Sequence, residues 1–335
     1  MMRIPATAAG AKALCPTREC READIPVCHS PHWLARRGSA LFMVLWVIAL
    51  ISFLTLGLIE LMRLDIDMEV VRAKDFRARQ LAESGLAIAQ HPSIERYDPL
   101  LFMEFEEGES YEVRIESEDA RLNINRLLAS GDTDLLRRLF THWDLTSTEI
   151  DDVLGALEDW YDADDLPRLN GAEFEQYIEA GRHRGPGNAP FRTIDELREV
   201  LGLDPLFEKK PDWIDFFSVY SSGKIDLNDA PIDLIQVICG VTLTRAESLV
   251  RLRTGPDREE HTEDDVIFED PQDAAAALGM SIEEYRTFDD MLTLRSSTLR
   301  LISTGRVDEH ERKISLILRQ SAQNPNAEWI AWEEE

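Results

Sequence analysis

Residues Ala40 to Ile59 run without a charged side chain, and about 20 apolar residues suffice for one helix across the hydrocarbon core of a bilayer. The apolar positions then change their pattern. From Glu60 to Ala89, Leu61, Leu64, Met68, Val71, Leu81, Gly85 and Ile88 recur at near-helical spacing among charged residues, as on a helix with one apolar face. Span and amphipathic half together predict a single helix of roughly 50 residues, about 75 Å at 1.5 Å per residue, ended by His91-Pro92. A helix apolar all round in one half and one-faced in the other suits subunits that bundle into a filament.

Beyond it, period-two alternation marks strands. Ser110 to Ser117 alternates apolar and charged side chains, and Leu299 to Val307 and Lys313 to Arg319 look like two more strands. Asp308, Glu309 and His310 between the last two predict a hairpin turn. One early and two late strands make a single antiparallel sheet, so the mostly helical stretch between Arg121 and Arg295 is expected as an insertion into it. A weak repeat runs through that insertion. Glu196 to Leu203, Leu234 to Val241 and Asp273 to Met280 each read as a short apolar helix that ends at a glycine followed by one aliphatic residue, and two of them restart at Thr242 or Ser281. The form is that of a helix-hairpin-helix, in which the glycine turn lets two short helices pack closely.

Charge and processing signals narrow the class. The formal net charge is −28, which argues against nucleic acid, because binding a phosphate backbone requires clustered cations. In the hairpin repeat, Thr242 replaces the usual second glycine and the flanks are acidic, so it reads as scaffold rather than as a phosphate clamp. The first 38 residues carry six Lys/Arg against three Asp/Glu, and Arg36-Arg37 sit at the membrane edge. By the positive-inside tendency the N-terminus stays cytoplasmic and the acidic body is translocated across the membrane. Small residues Gly38, Ser39 and Ala40 precede the apolar run instead of following it, the reverse of a secretory signal. That order resembles a type IV prepilin, cut between Gly38 and Ser39 and then N-methylated at Ser39; the alternative is an uncleaved signal anchor. The fifth mature position, usually a glutamate that neutralises the N-terminal ammonium of a neighbouring subunit, is Met43, which suits a subunit at the end of a filament where no such partner has to be met. Cys15, Cys20, Cys28, His29 and His32 lack paired metal spacing, and Cys239 reads as a small buried hydrophobe.

The segment most dense in potential ligands is Asp159-Trp160-Tyr161-Asp162-Ala163-Asp164-Asp165, followed by Asn170-Gly171-Ala172-Glu173. Crowded carboxylates repel unless a cation or hydrogen bonds stabilise them, and calcium takes about six to eight oxygen ligands. The order is not that of an EF-hand, and spacing alone favours a solvated acidic loop with helix caps. His142 and His183 stand in no triad or HExxH arrangement, and no pocket signature points to an enzyme.

Several segments in order resemble the K-type minor pseudopilin of type II secretion. These are Arg36 to Leu41 leading into Val44-Leu45-Trp46-Val47, Ala82-Glu83-Ser84-Gly85-Leu86, Arg121-Leu122-Asn123-Ile124-Asn125, Asp159 to Asp164, Asn170 to Glu173 with Tyr177, and Gly223 to Pro231. The resemblance covers about Arg36 to Gln320, and absence of the fifth-position glutamate is usual for this family. It implies an α+β, type IV pilin-like fold: a long N-terminal helix and an antiparallel sheet with a large, mainly helical insertion of helix-hairpin-helix or SAM-like kind. Residues 1–38 would be the cleaved leader, 39–91 the stem, 92–122 and 296–321 the sheet, 123–295 the insertion and 322–335 an acidic tail. The resemblance further implies a non-enzymatic subunit at the tip of a periplasmic pseudopilus, initiating its assembly and supporting protein export across the outer membrane. The implied partners are two other minor pseudopilins, the major pseudopilin, prepilin peptidase and the inner-membrane secretion platform. It also implies calcium in the insertion, with Asp162, Asp164, Asp165 and Glu173 as ligands. Phe174 and Glu175 stand where relatives often carry further aspartates, and the leader is longer than usual. Two other readings remain: a single-pass, signal-anchored receptor or enzyme, and a DNA-uptake protein, for which the composition lacks a basic face.

Overall fold

The structure, a computed structural model, describes residues 39–105, 108–131, 133–321 and 324–334. The chain divides into two compact units after Leu64. In the first, residues 40–64 of helix α1 (Ser39–Ala89) expose every side chain, and α1 is the one helix among the described residues long and apolar enough to cross a membrane.

The second unit begins within α1, whose final turns bury Ala78, Leu81, Ala82, Leu86 and Ala89. It continues with β1 (Phe102–Glu104), β2 (Glu109–Ser117), β3 (Leu122–Asn123), α2 (Ile124–Ser130), α3 (Asp134–His142), α4 (Ser147–Tyr161), α5 (Phe174–Glu179), α6 (Asp204–Lys209), β4 (Phe217–Ser218) and β5 (Ile225–Asp226). There follow α7 (Ile232–Cys239), α8 (Leu243–Arg253), α9 (Pro271–Ala277), α10 (Ile282–Arg286), β6 (Leu292–Thr293), β7 (Thr298–Val307), β8 (His310–Ser321) and β9 (Asn324–Glu334). One five-stranded sheet has the order β1-β2-β7-β8-β9 and is antiparallel throughout. The register pairs Ser117 with Leu299, so the chain leaves the sheet at the end of β2 and returns beside the same point on β7. Because the two ends of the excursion are ladder neighbours, a domain can be inserted there without breaking the sheet.

Alternation fixes the buried face. Tyr111, Val113 and Ile115 on β2 and Ile314, Leu316 and Leu318 on β8 pack with the end of α1 into one apolar core, as period-two strands with one covered face do. Two glycines set how close the helix comes. A Cβ on Gly305 of β7 would run into the α1 backbone at Ala78 and Ala82. One on Gly85 of α1 would stand 2.7 Å from Ser303 Oγ and from a Val113 methyl. The insertion has a core of its own, around Leu136, Leu139, Phe140, Leu157, Trp213 and Leu234. Two short parallel pairs, β3 with β4 and β5 with β6, tie its helices together.

The structure differs from the sequence expectation in three places. Within residues 322–335, expected as an acidic tail, Asn324–Glu334 forms β9. A register shift between Ile317 and Leu318 pairs Ala331 with one and Trp329 with the other, and this irregularity hides the strand because Trp329, Ile330 and Trp332 do not alternate strictly. The segment Glu196 to Leu203 is a 3-10 helix over Ile194–Glu199 and not an α-helix, although Gly202 has φ +100°, and Gly240 and Gly279 close α7 and the α9 segment at φ +62° and +64°. β1 and β9 also extend the expected three strands to five. The α1 end at Ala89 and the turn at Asp308 (φ +53°) fall where the sequence puts them.

Gly305→Ala is expected to lower the unfolding free energy by about 2–4 kcal/mol, because the methyl meets main-chain atoms that cannot rotate away. Thermal denaturation followed by circular dichroism checks this. Gly57→Ala, with open space around its Cβ, is expected to leave that transition unchanged.

Candidate metal centre

Helix α4 presents the acidic cluster. It starts at a capping box in which Thr146 Oγ1 accepts from the Glu149 N–H and Glu149 returns a bond to the Thr146 N–H, and its Ile150, Val153, Leu154 and Leu157 lock it into the insertion core. That anchoring fixes its C-terminal turn, where Asp159 is fully buried and Asp162 is the C-cap. Carboxylates at a helix C-terminus face the negative end of the macrodipole, so the arrangement needs positive compensation. Arg168 supplies part of it. Its N–H donates to both Asp159 oxygens, and its guanidinium lies 3.2 Å from Glu158 and 3.2 Å from Asp162. Gly171 is required beside Asp159, since a Cβ there would overlap the carboxylate.

Glu173, immediately before α5, points into the same space. Ligand oxygens of Asp162, Asp164 and Glu173 all lie within 4.8 Å of one another. Both Glu173 carboxylate oxygens and Asp162 Oδ1 are buried without a hydrogen-bond partner. Burial, reinforced by repulsion from Asp159, Asp162, Asp165 and Asp164, pushes the Glu173 carboxyl up to about 7, and burial also pushes Asp159 up. Two unpartnered, buried acceptors on a carboxylate are costly. A cation removes that cost. The donor set is all oxygen, the chemistry of a hard divalent ion such as calcium. The residues therefore fit the ion, with Asp162, Asp164 and Glu173 able to hold it and neutralise one another's charge through it.

Of the four expected ligands the structure brings these three together. Asp165 lies beside them but its Oδ1 accepts from Asn188 Nδ2 at 3.1 Å. Asn188 was not legible as a candidate. It comes from the loop that precedes Phe191, its side-chain N–H also reaches the Asp164 carbonyl, and its own Oδ1 is buried without a partner. Only its left-handed backbone, φ +44°, hints at a special position, and Asn is the residue that adopts it readily. Trp160 stacks on Phe191 at 5.6 Å and meets Tyr177. Asn125 clamps Phe191 by accepting from its N–H and donating to its carbonyl. The motif asparagines are thus fixings: Asn123 caps α2 and reaches Ser221, and Asn228 brackets Phe268. Gly38 lies outside the described residues, Ser39 opens α1, and Met43 is exposed on it.

The molecule is a mixed helix and sheet protein with a long apolar N-terminal helix and an oxygen-rich centre in an inserted helical domain. Residues 120–210 match the family model described as type II secretion system, protein K. The curated type II secretion system protein K of Klebsiella pneumoniae is 31% identical over 107 residues, 29% of this chain and 32% of that protein. Its counterpart in Dickeya chrysanthemi is 28% identical over 108 residues, 30% and 29% of the two chains. The matched stretch spans about a third of the length of these relatives. A chain of the solved GspK-GspI-GspJ complex from the type 2 secretion system of enterotoxigenic Escherichia coli has the same fold, with a TM-score of 0.55 at 17% identity, over 82% of this chain and 99% of that one. This chain is thus similar to protein K of type II secretion in sequence over residues 120–210, and in fold to a chain of that solved complex.

Calcium is expected to raise the melting temperature of the full chain in detergent and a chelator to lower it, by about 2.7 kcal/mol of stabilisation at a concentration a hundredfold above Kd. Glu173→Gln is expected to abolish the response. With chelator it should melt no lower than the parent, since it removes an unpartnered buried charge. Identical melting with calcium and with chelator would return the cluster to an ordinary acidic loop.

Proposed function

We propose that the chain is a minor pseudopilin placed at the tip of the type II secretion pseudopilus, where it initiates assembly and supports protein export across the outer membrane. The observation that carries this reading is the conjunction of a protein K match at residues 120–210 with a stem-and-sheet fold shared with a chain of the GspK-GspI-GspJ complex. Two physical features of the chain favour the tip. An inserted domain with its own core projects from between β2 and β7, and such bulk obstructs stacking above it. Met43 offers no carboxylate to neutralise the ammonium of a neighbour in an apolar bundle, which leaves that charge without compensation.

In this reading prepilin peptidase cuts between Gly38 and Ser39, and the new Ser39 amine is methylated. The apolar part of α1 holds the subunit in the inner membrane, N-terminus cytoplasmic and body periplasmic, until it joins the filament. Its partners are two other minor pseudopilins, as in the solved complex, together with the major pseudopilin and the inner-membrane platform. Calcium at Asp162, Asp164 and Glu173 has a structural role, and the protein performs no catalysis.

N-terminal sequencing of the protein from cells with and without the peptidase tests the first step. A start at Ser39 that depends on the peptidase is expected. An identical, uncut N-terminus in both strains would favour the signal-anchor alternative and overturn the proposal.

A further inference from the structure

A second concave site lies in the insertion, away from the acidic centre. It is a cleft of about 430 Å³ between α2, the start of α3, the Ser222–Ile225 turn and the segment at Asp290-Met291, within the size range of specific ligand pockets. Three cations line it: Arg126 from α2, Arg138 from α3 and Lys224 from the turn. Lys224 Nζ donates to the Asp289 carbonyl at 2.7 Å and Arg138 to the Val237 carbonyl at 3.2 Å. Those partners are neutral carbonyls, so they orient the side chains without pairing either cation with a carboxylate. By contrast Arg96, Arg121, Arg253 and Arg300 each meet a carboxylate. Among the described residues none of the three cleft cations forms a salt bridge, although the chain carries a net charge of −28. Gly223 keeps Arg126 across the turn: its φ is +94°, and a Cβ would stand 3.0 Å from Arg126 Cδ. The lining also includes an apolar part, with Leu127, Leu135 and Met291 half-buried, which serves as its floor, and the exposed Asp134 and Asp290.

We propose that this cleft binds an extended peptide segment in which acidic and apolar side chains alternate. The carboxylates would meet Arg126, Arg138 and Lys224, and the apolar side chains would cover the floor. An arginine fork recognises a carboxylate with two parallel bonds, and the surrounding anionic surface repels acidic chains that do not reach the cleft, which confines binding to it. The apolar floor selects against inorganic anions, which gain nothing from it.

Fluorescence anisotropy of the full chain in neutral detergent tests this, with a fluorescein-labelled hexapeptide of alternating leucine and glutamate as the probe. Saturable binding is expected, and the uncharged leucine–glutamine counterpart should not bind. Arg126→Glu and Lys224→Glu, both exposed positions, should each weaken binding at least about tenfold, as expected for loss of a charge-assisted contact and its replacement by repulsion. Arg184→Glu, the same charge change on a distant exposed loop, should leave it unchanged. Unaltered melting temperatures show that the variants fold, and Arg126→Ala and Lys224→Ala, weaker by about threefold to tenfold, serve where a reversal does not. Equal binding of the leucine–glutamine peptide, equal binding by the cleft variants, or displacement by millimolar inorganic phosphate as effective as by unlabelled peptide would each overturn the proposal.

Discussion

The arrangement of the second unit depends on a carboxylate with no exposed surface. Glu118, the first residue after β2, accepts from the Arg300 guanidinium of β7, from Arg121 and from the Ser218 hydroxyl of β4. Burial would push its carboxyl up, but Arg300 and Arg121 outweigh burial and hold it below the ordinary range. Next to it Asp119 accepts from the N–H groups of Ser222 and Ser297. Across the same neck Arg96 grips both oxygens of Asp229, and Asp229 also takes the Ser117 N–H. The sheet core and the insertion core do not merge, so directional polar contacts join them where the chain crosses. A buried pair of this kind adds little net stability relative to apolar packing, but removing one partner costs about 3–5 kcal/mol. Its value here is orientation: apolar contacts slide, whereas the two-pronged contacts of Arg300 and Arg96 do not.

That geometry explains why the insertion can be large without disturbing the stem. The excursion begins and ends at paired residues, Ser117 and Leu299, and Glu118, Asp119 and Arg300 close the gap between them. Sheet and helix meet separately, through Gly85 and Gly305. Changes confined to the insertion core therefore do not touch the contact of α1 with the sheet at Gly85 and Gly305.

The sequence discloses these parts unequally. Periodicity locates the apolar span, the β2, β7 and β8 alternation and the turn at Asp308, because each is a local pattern that its own packing enforces. β9 escapes because its bulge breaks the alternation, and Glu196 to Leu203 misleads because a glycine-closed apolar segment looks the same as an α-helix or as a tighter 3-10 turn. At the acidic centre, Asp162, Asp164 and Glu173 are legible from their density in the chain. Asn188 is not, since its place is set by the fold of the loop between α5 and Phe191. The neck is invisible for the same reason: Glu118, Arg300, Arg96 and Asp229 are far apart in sequence and read singly as surface charges.

The separation of the two cores also decides what the oxygen-rich centre can do. Asp162 ends α4, Glu173 begins α5, and Asn188 precedes the strand of backbone clamped by Asn125. A cation held there spans the loops on either side of α5, and its binding free energy goes into ordering residues 162–188 against the rigid end of α4. Among the described residues, no hydrogen bond or salt bridge of Asp162, Asp164, Glu173 or Asn188 reaches the sheet or α1. The effect of an ion there would thereby be local to the insertion.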